Sequence, residues 1–244
     1  MNRRFFALII SIVFALSFGA AAYGQIPNQL AQDFVAGDAP SPEDVAKFEK
    51  EVAANPTDLR LTRKLGKAYF FQFFGDGELA AVPKSQKTLE LALTLKKDDP
   101  ETLAYLGSLH ILRGLRVEKD KKDAAKQKAS FDRGFELIKL AEKLDPRNGA
   151  VTSVVSASYL WLPDSYGMAS HVVEMLEGMI KGMGPYFKKF AHHGQQRILL
   201  TLGQAYVKTG QKEKARTAFD EGLAVNATSR EAGMLRSELA KLKE

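Results

Sequence analysis

Beyond residue 40, apolar residues recur at intervals of three and four, separated by charged and small polar residues, and every periodic segment follows that spacing. Such spacing places one apolar stripe on each of a series of helices and predicts an all-α chain without a sheet. The first helix is well marked. Ser41 is a favourable N-cap, Pro42 suits the first turn, and Glu43 and Asp44 sit at its positive end, while Val45, Phe48 and Val52 share one face before Asn55-Pro56 ends it. A long helix is expected from about Asp120 to Leu144. Leu162-Pro163 and the segment from Gly182 to Pro185 break helices, and Tyr186 to Ala191 reads as a short irregular helix. At the C-terminus, Thr228 and Glu231 have capping-box spacing, and Ala232, Leu235, Leu239 and Leu242 form a narrow stripe, which suits a terminal helix closing a stack.

The segment Leu199 to Ala227 carries a two-helix repeat. Leu199, Leu202, Gly203 and Tyr206 lie on its first helix, and Ala215, Phe219, Gly222 and Leu223 on its second. In these positions the chain resembles the tetratricopeptide-repeat family. The same first-helix signature recurs at Leu65, Gly66 and Tyr69, at Leu103, Leu106 and Gly107, and at Val155, Ser156 and Tyr159. Second helices close with Leu89 and Ala92, and with Ile138, Ala141 and Pro146. The resemblance implies a right-handed superhelical solenoid of helical hairpins over residues 41–244, ending in a capping helix. Successive signatures are 41, 49 and 47 residues apart, against a family period of about 34, so the helices are expected to be lengthened and the connections enlarged. One extra turn on each arm of the first hairpin would absorb its excess. Gly66, Gly107 and Gly203 fall where the two helices of a hairpin approach most closely, a position at which a larger side chain would push them apart.

By register, the resemblance also implies which first-helix residues line a concave groove: Arg60, Arg63, Lys67 and Phe70 in the first hairpin, Ser108 and Ile111 in the second, Ser153 and Leu160 in the third, and Arg197, Leu200, Gln204 and Val207 in the fourth. Glu101, Ala104, Ala150 and Ala157 fall in the same rows. The groove is expected to be basic at one end and apolar in the middle. The Lys and Asn set with which some family members clamp a C-terminal carboxylate lacks its Asn residues here. The function implied is that of a non-catalytic scaffold or adaptor binding a protein or peptide segment. Tyr159 to Gly167 (YLWLPDSYG), followed by a helix from Met168, is similar to the helical T component associated with tripartite periplasmic transporters, which implies an alternative role as a transporter-associated subunit holding a small ligand.

Arg3 and Arg4 precede an uncharged apolar run from Phe5 to Ala22 that ends in small residues, the layout of a secretory signal. Cleavage after Gly24 or after Ala22 is expected, followed by a tether over residues 25–40 that contains Pro27, Gly37 and Pro40. At 18 residues the run also just reaches the length of a membrane anchor. Export implies a periplasmic location if the source is Gram-negative. Removing the signal lowers the formal charge from +6 by the two arginines to +4, too small a balance to indicate nucleic acid.

The chain has no cysteine, so disulfides, thiolate nucleophiles and zinc-thiolate sites are excluded. His192 and His193 are adjacent and point about 100° apart on a helix, and neither has a His or carboxylate at i+4. No nucleophile elbow, phosphate loop or zinc-protease motif occurs. Neither a catalytic residue, a metal nor a cofactor is therefore expected. Tyr69, Phe70, Phe71, Phe73 and Phe74 cannot all point inward from one helix, which allows either core packing or a self-association patch. The stretch from Arg113 to Lys128, with seven basic residues against three acidic, is a solvated helix face or a contact for an anionic membrane surface.

Overall fold

In the computed structural model, residues 40–118 and 122–242 are described. The signal, residues 1–24, and all but the last residue of the tether over 25–40 lie outside them. The described chain folds into ten α-helices joined by π and 3₁₀ turns, with no strand among the described residues. Helix α1 is Pro42–Ala54 and packs on α2, Leu59–Phe71, in the place of the second helix of a preceding repeat. Four hairpins follow. They pair α2 with α3 (Ala81–Leu95), α4 (Pro100–Arg113) with α5 (Ala124–Leu144), α6 (Gly149–Trp161) with α7 (Ala169–Met183), and α8 (His192–Lys208) with α9 (Lys212–Val225). Helix α10, Arg230–Lys241, packs on both α9 and α8. One apolar cluster runs through the whole all-α solenoid, from Val45 to Leu242.

Short polar side chains fix the helix starts. Asp58, Asp99, Asp123 and Asn148 cap α2, α4, α5 and α6 by accepting from backbone N–H groups of the first turn. Ser41 and Asp44 form a reciprocal capping box at α1. At α10 the cap is Ser229, whose hydroxyl accepts from Ala232 N at 3.0 Å, rather than Thr228, which is turned back onto Asn226. Helix α5 starts at Ala124, later than its charge pattern suggests, because Asp123 can accept from Lys126 N and end the preceding turn. At 21 residues it is still the longest described helix.

In the first two hairpins π turns extend the ends of the first helices, at Gln72–Asp76 and Gly114–Glu118, and in the second the 21-residue α5 lengthens the other arm as well. In the first hairpin a π turn takes the place of a plain extra turn on the first arm. The π turn after α2 also distributes the aromatic run. Tyr69, Phe70 and Phe73 enter the core, and Phe71 and Phe74 are left half-buried on the inner side. The wider turn rotates residues beyond Phe71 out of the α-helical register, so no single face has to hold all five.

A ladder of hydrogen bonds ties three of the four first helices to a preceding second helix. Tyr69 donates to Glu49, Tyr159 to Glu142 at 2.7 Å, and Tyr206 to Glu177 at 2.6 Å. In α4 the corresponding residue is His110, eleven residues after its N-cap, as Tyr69 and Tyr159 are after theirs. Burial and the neighbouring Arg113 and Arg133 guanidinium groups push the His110 imidazole down to about 4, against a smaller upward pull from Glu90. Below its ordinary value of about 6.5 the unfolded chain takes up a proton that the folded chain refuses. The His110 contribution is thus complete above pH 6.5 and declines as pH falls towards 4. Between pH 7 and 4.5 the native chain should lose up to about 3 kcal/mol more stability than His110→Tyr, measured as the shift of urea midpoints.

Candidate ligand-binding groove

The first helices α2, α4, α6 and α8 present small or polar residues to the inner side of the stack, and between them lies a concave cavity of about 390 Å³. Ser108 of α4, Ser153 and Ala157 of α6 and Thr201 of α8 leave room, while Leu200 supplies apolar contact. Helix α10 contributes Arg230, Glu231 and Met234. The stack is therefore wound tightly enough for its first hairpin and its capping helix to meet one cavity.

Aromatic rings build the wall nearest the first hairpin. Phe70 stacks on Phe74 with centroids 5.9 Å apart and planes 9° apart, and Phe74 lies against Trp161, 5.4 Å away at 30°. Tyr105 meets Phe70 edge-on at 5.3 Å. The second π turn holds the first in place: Arg116 Nη1 donates to the carbonyls of Phe73 and Phe74 at 2.8 and 3.1 Å. The Phe73 carbonyl also accepts from Gly77 N at 3.1 Å, so Arg116 adds a second donor there where the turn widens. Burial pushes the Tyr105 hydroxyl up, with Lys67 and Arg197 acting against it and Glu101 adding to it, so the cavity wall is neutral there.

Charge enters from α8 and α10. Arg197 Nε stands 3.7 Å from Glu231 Oε1, beyond direct hydrogen-bond distance, and 27% of its side chain remains exposed. Arg230, the first residue of α10, is exposed on the rim beside Met234.

The predicted groove residues divide between this cavity and its surroundings. Phe70, Ser108, Ser153, Arg197, Leu200 and Gln204 line it. Arg63 and Lys67 lie outside the lining and are engaged with α4: Arg63 contacts Asp99 at 2.9 Å and Glu101 at 3.2 Å, and Lys67 contacts Glu101 at 2.6 Å. Arg60 is exposed away from the cavity, Ile111 and Leu160 are buried in the core, and Val207 is exposed on the surface. Glu101 and Ala104 are buried in the wall between hairpins. Residues outside the register reading also line the cavity, among them Phe71, Phe74, Arg116, Trp161 and Met234. The sequence signals that reach Phe71, Phe74 and Trp161 are an aromatic run too dense for one helix face and a tryptophan beside a helix-breaking Leu-Pro; neither signal reaches Arg116 or Met234.

Asp99 is held by the same network. Burial pushes its carboxyl up, but hydrogen bonds from Thr102 and the adjacent Arg63 guanidinium together outweigh this and hold it below the ordinary carboxylate value. On the outer side, Glu142 accepts from Tyr159 and contacts His171 Nε2 at 2.6 Å, a structural tie between α5, α6 and α7. Among the described residues no group of three His, Asp or Glu side chains converges as a metal site. No described helix is long and apolar enough to cross a membrane.

This stack of hairpins, with small residues at each helix crossing and a groove along the first helices, is the fold of tetratricopeptide-repeat proteins. No protein-family model matches the chain, and no curated protein matches its sequence. Among solved structures, the thermophilic tetratricopeptide-repeat protein TTC0263 of Thermus thermophilus superimposes with a TM-score of 0.59 at 15% identity, over 81% of this chain and 88% of that one. Two structures of MamA align at TM-scores of 0.44 and 0.43, with 20% and 19% identity, over 74% and 81% of this chain and 85% of each of theirs. At such identities the likeness is one of fold.

Proposed function

We propose that the protein is an exported, non-catalytic interaction scaffold that receives a segment of a protein partner on the inner side of its stack. The observation that carries this reading is the cavity at the meeting of all four first helices and the capping helix, because a site assembled from every repeat forms only when the stack is complete. Its polar lining supports binding over chemistry. Arg116 is committed to backbone carbonyls, Arg197 faces Glu231, and no nucleophile is paired with a base along the wall. Export rests on the charged head, apolar run and small-residue exit of residues 1–24. The alternative, a transporter-associated subunit holding a small ligand, draws on the cavity volume, which falls within the range of small-molecule sites.

Two measurements test the reading. Intact mass of protein recovered from the envelope should show loss of residues 1–24 or 1–22, and a full-length mass in the membrane pellet would make the segment an anchor. Met234→Asp, at the exposed rim, should release a captured partner at least tenfold faster than Lys241→Glu, two turns further along α10 and outside the cavity lining, since apolar anchors act mainly on dissociation. Equal release would move the contact off the inner face.

A further inference from the structure

The cavity lining combines two chemistries, and together they specify an occupant. Phe74 and Trp161, stacked with centroids 5.4 Å apart, form an aromatic wall whose backbone Arg116 holds through the Phe73 and Phe74 carbonyls. From α8 and α10, Arg197 and Arg230 join the lining with a single carboxylate, Glu231, which Arg197 meets only at 3.7 Å. Counting Arg116, three guanidinium groups line the space against one carboxylate. A partner carrying negative charge meets this imbalance, and a cationic one is opposed by it. At about 390 Å³ the space suits one large side chain and its immediate neighbours, and is too small for an extended segment.

Resting on the scaffold reading, we propose that the cavity is an anchor site for an acidic segment of a partner protein, with an aromatic side chain inserted against Phe74 and Trp161 and a neighbouring carboxylate held by Arg197 and Arg230. The aromatic wall favours an aromatic over an aliphatic anchor, because edge-to-face or offset contact between rings adds to the burial of area. Arg230, exposed at the rim, attracts the acidic segment during approach, and Arg197 holds the carboxylate after docking. The occupant continues past the rim over Met234, which is 46% exposed, and this is why a polypeptide segment fits better than a free small acid.

Trp161 is the only tryptophan in the chain and forms part of the wall, so its fluorescence reports occupancy directly. The full chain is titrated with four probes: the blocked peptides Gly-Glu-Phe-Glu-Gly, Gly-Lys-Phe-Lys-Gly and Gly-Glu-Ala-Glu-Gly, and N-acetylphenylalanine as a free aromatic acid. The acidic aromatic peptide should bind at least tenfold more tightly than each of the other three. Arg230→Gln, an exposed position whose loss leaves the core intact, should weaken that peptide several-fold and reduce its salt dependence, and Phe74→Leu should weaken it while sparing the salt dependence. Equal affinity for the lysine peptide, or no response to any probe, overturns the proposal. Equal affinity for N-acetylphenylalanine replaces the protein segment with a small ligand, and tighter binding of a peptide of residues 25–40 replaces the partner with the chain's own tether. If a captured partner depends on Met234 but is indifferent to Arg230 and Phe74, the anchor chemistry fails and the scaffold reading stands.

Discussion

Replacing Gly107 by valine should cost at least about 3 kcal/mol, measured as the loss of unfolding free energy in urea, and is expected to be among the most damaging single substitutions in the stack. A Cβ at 107 would lie 2.6 Å from Ile138 Cγ2, 2.9 Å from Gly134 O and 3.1 Å from Ile138 N. The facing position is as tight. A Cβ at Gly134 would lie 2.7 Å from Gly107 O and 2.5 Å from Ile111 Cγ1. Because main-chain atoms stand on both sides, no rotamer change relieves the clash, and α4 must move away from α5 as a body. That movement would open the core around Ile111 and Ile138, both fully buried. Gly203 is a milder case. Its Cβ would meet only the ring of Phe219, at 2.2 Å, so relief requires a buried ring to shift and leaves the backbone in place. Gly178 and Gly233 give the control. Both are helical and exposed, with nothing within 4 Å of where a methyl group would sit, so alanine there should stabilise by up to about 1 kcal/mol. A Gly107→Val protein as stable as these controls would mean that α4 and α5 are not in contact at this crossing.

These glycines also show why the fold was legible in the sequence. The spacing of Gly66, Gly107 and Gly203 relative to the apolar positions is set by helix crossings inside each hairpin, and a crossing needs little more than local periodicity and one small residue. Ser156 fills the same role in the third hairpin and is fully buried. The cavity depends on relations between hairpins, which local spacing does not record. A π turn after α2 swings Phe74 towards Trp161 in the third hairpin, and the winding of the stack brings Arg230 and Met234 round to the inner side. Register carried over from a regular array therefore reached Phe70, Ser108, Ser153, Arg197, Leu200 and Gln204, and left out Phe74, Trp161 and the rim residues of α10. It also assigned Arg63 and Lys67 to a partner without seeing that Asp99 and Glu101 already face them one repeat on, since pairs 34 to 38 residues apart have no helical signature.

That internal network should be costly to break. Asp99→Ala removes the acceptor that caps α4 through Thr102 N at 3.1 Å and takes away a partner of Arg63 at 2.9 Å, while Thr102 loses a 2.7 Å bond from its hydroxyl. Asp99 is 3% exposed, so water cannot readily take its place. Loss of a cap is worth about 1 kcal/mol, and unpairing one member of a buried ion pair about 3 kcal/mol or more. Because Glu101 still meets Arg63 at 3.2 Å, the two effects should sum to about 3 kcal/mol. The pH dependence follows from the depressed carboxyl. Asp99 stabilises fully above its ordinary value near 3.8 and loses that contribution as pH falls through the lower folded value, so the deficit of Asp99→Ala should be constant from pH 8 to 5 and shrink only below about 4. Arg63→Met alongside Asp99→Ala, with the double variant, measures the coupling, which should exceed about 1 kcal/mol for groups in one network. Groove binding gives the functional counterpart: with Arg63 and Lys67 neutralised within the wall, Lys67→Met should leave the salt dependence of the acidic probe unchanged, whereas Arg230→Gln reduces it. A Lys67 variant that flattens the salt dependence as much as the Arg230 variant would show that the first hairpin, and not the capping helix, supplies the field that draws the partner in.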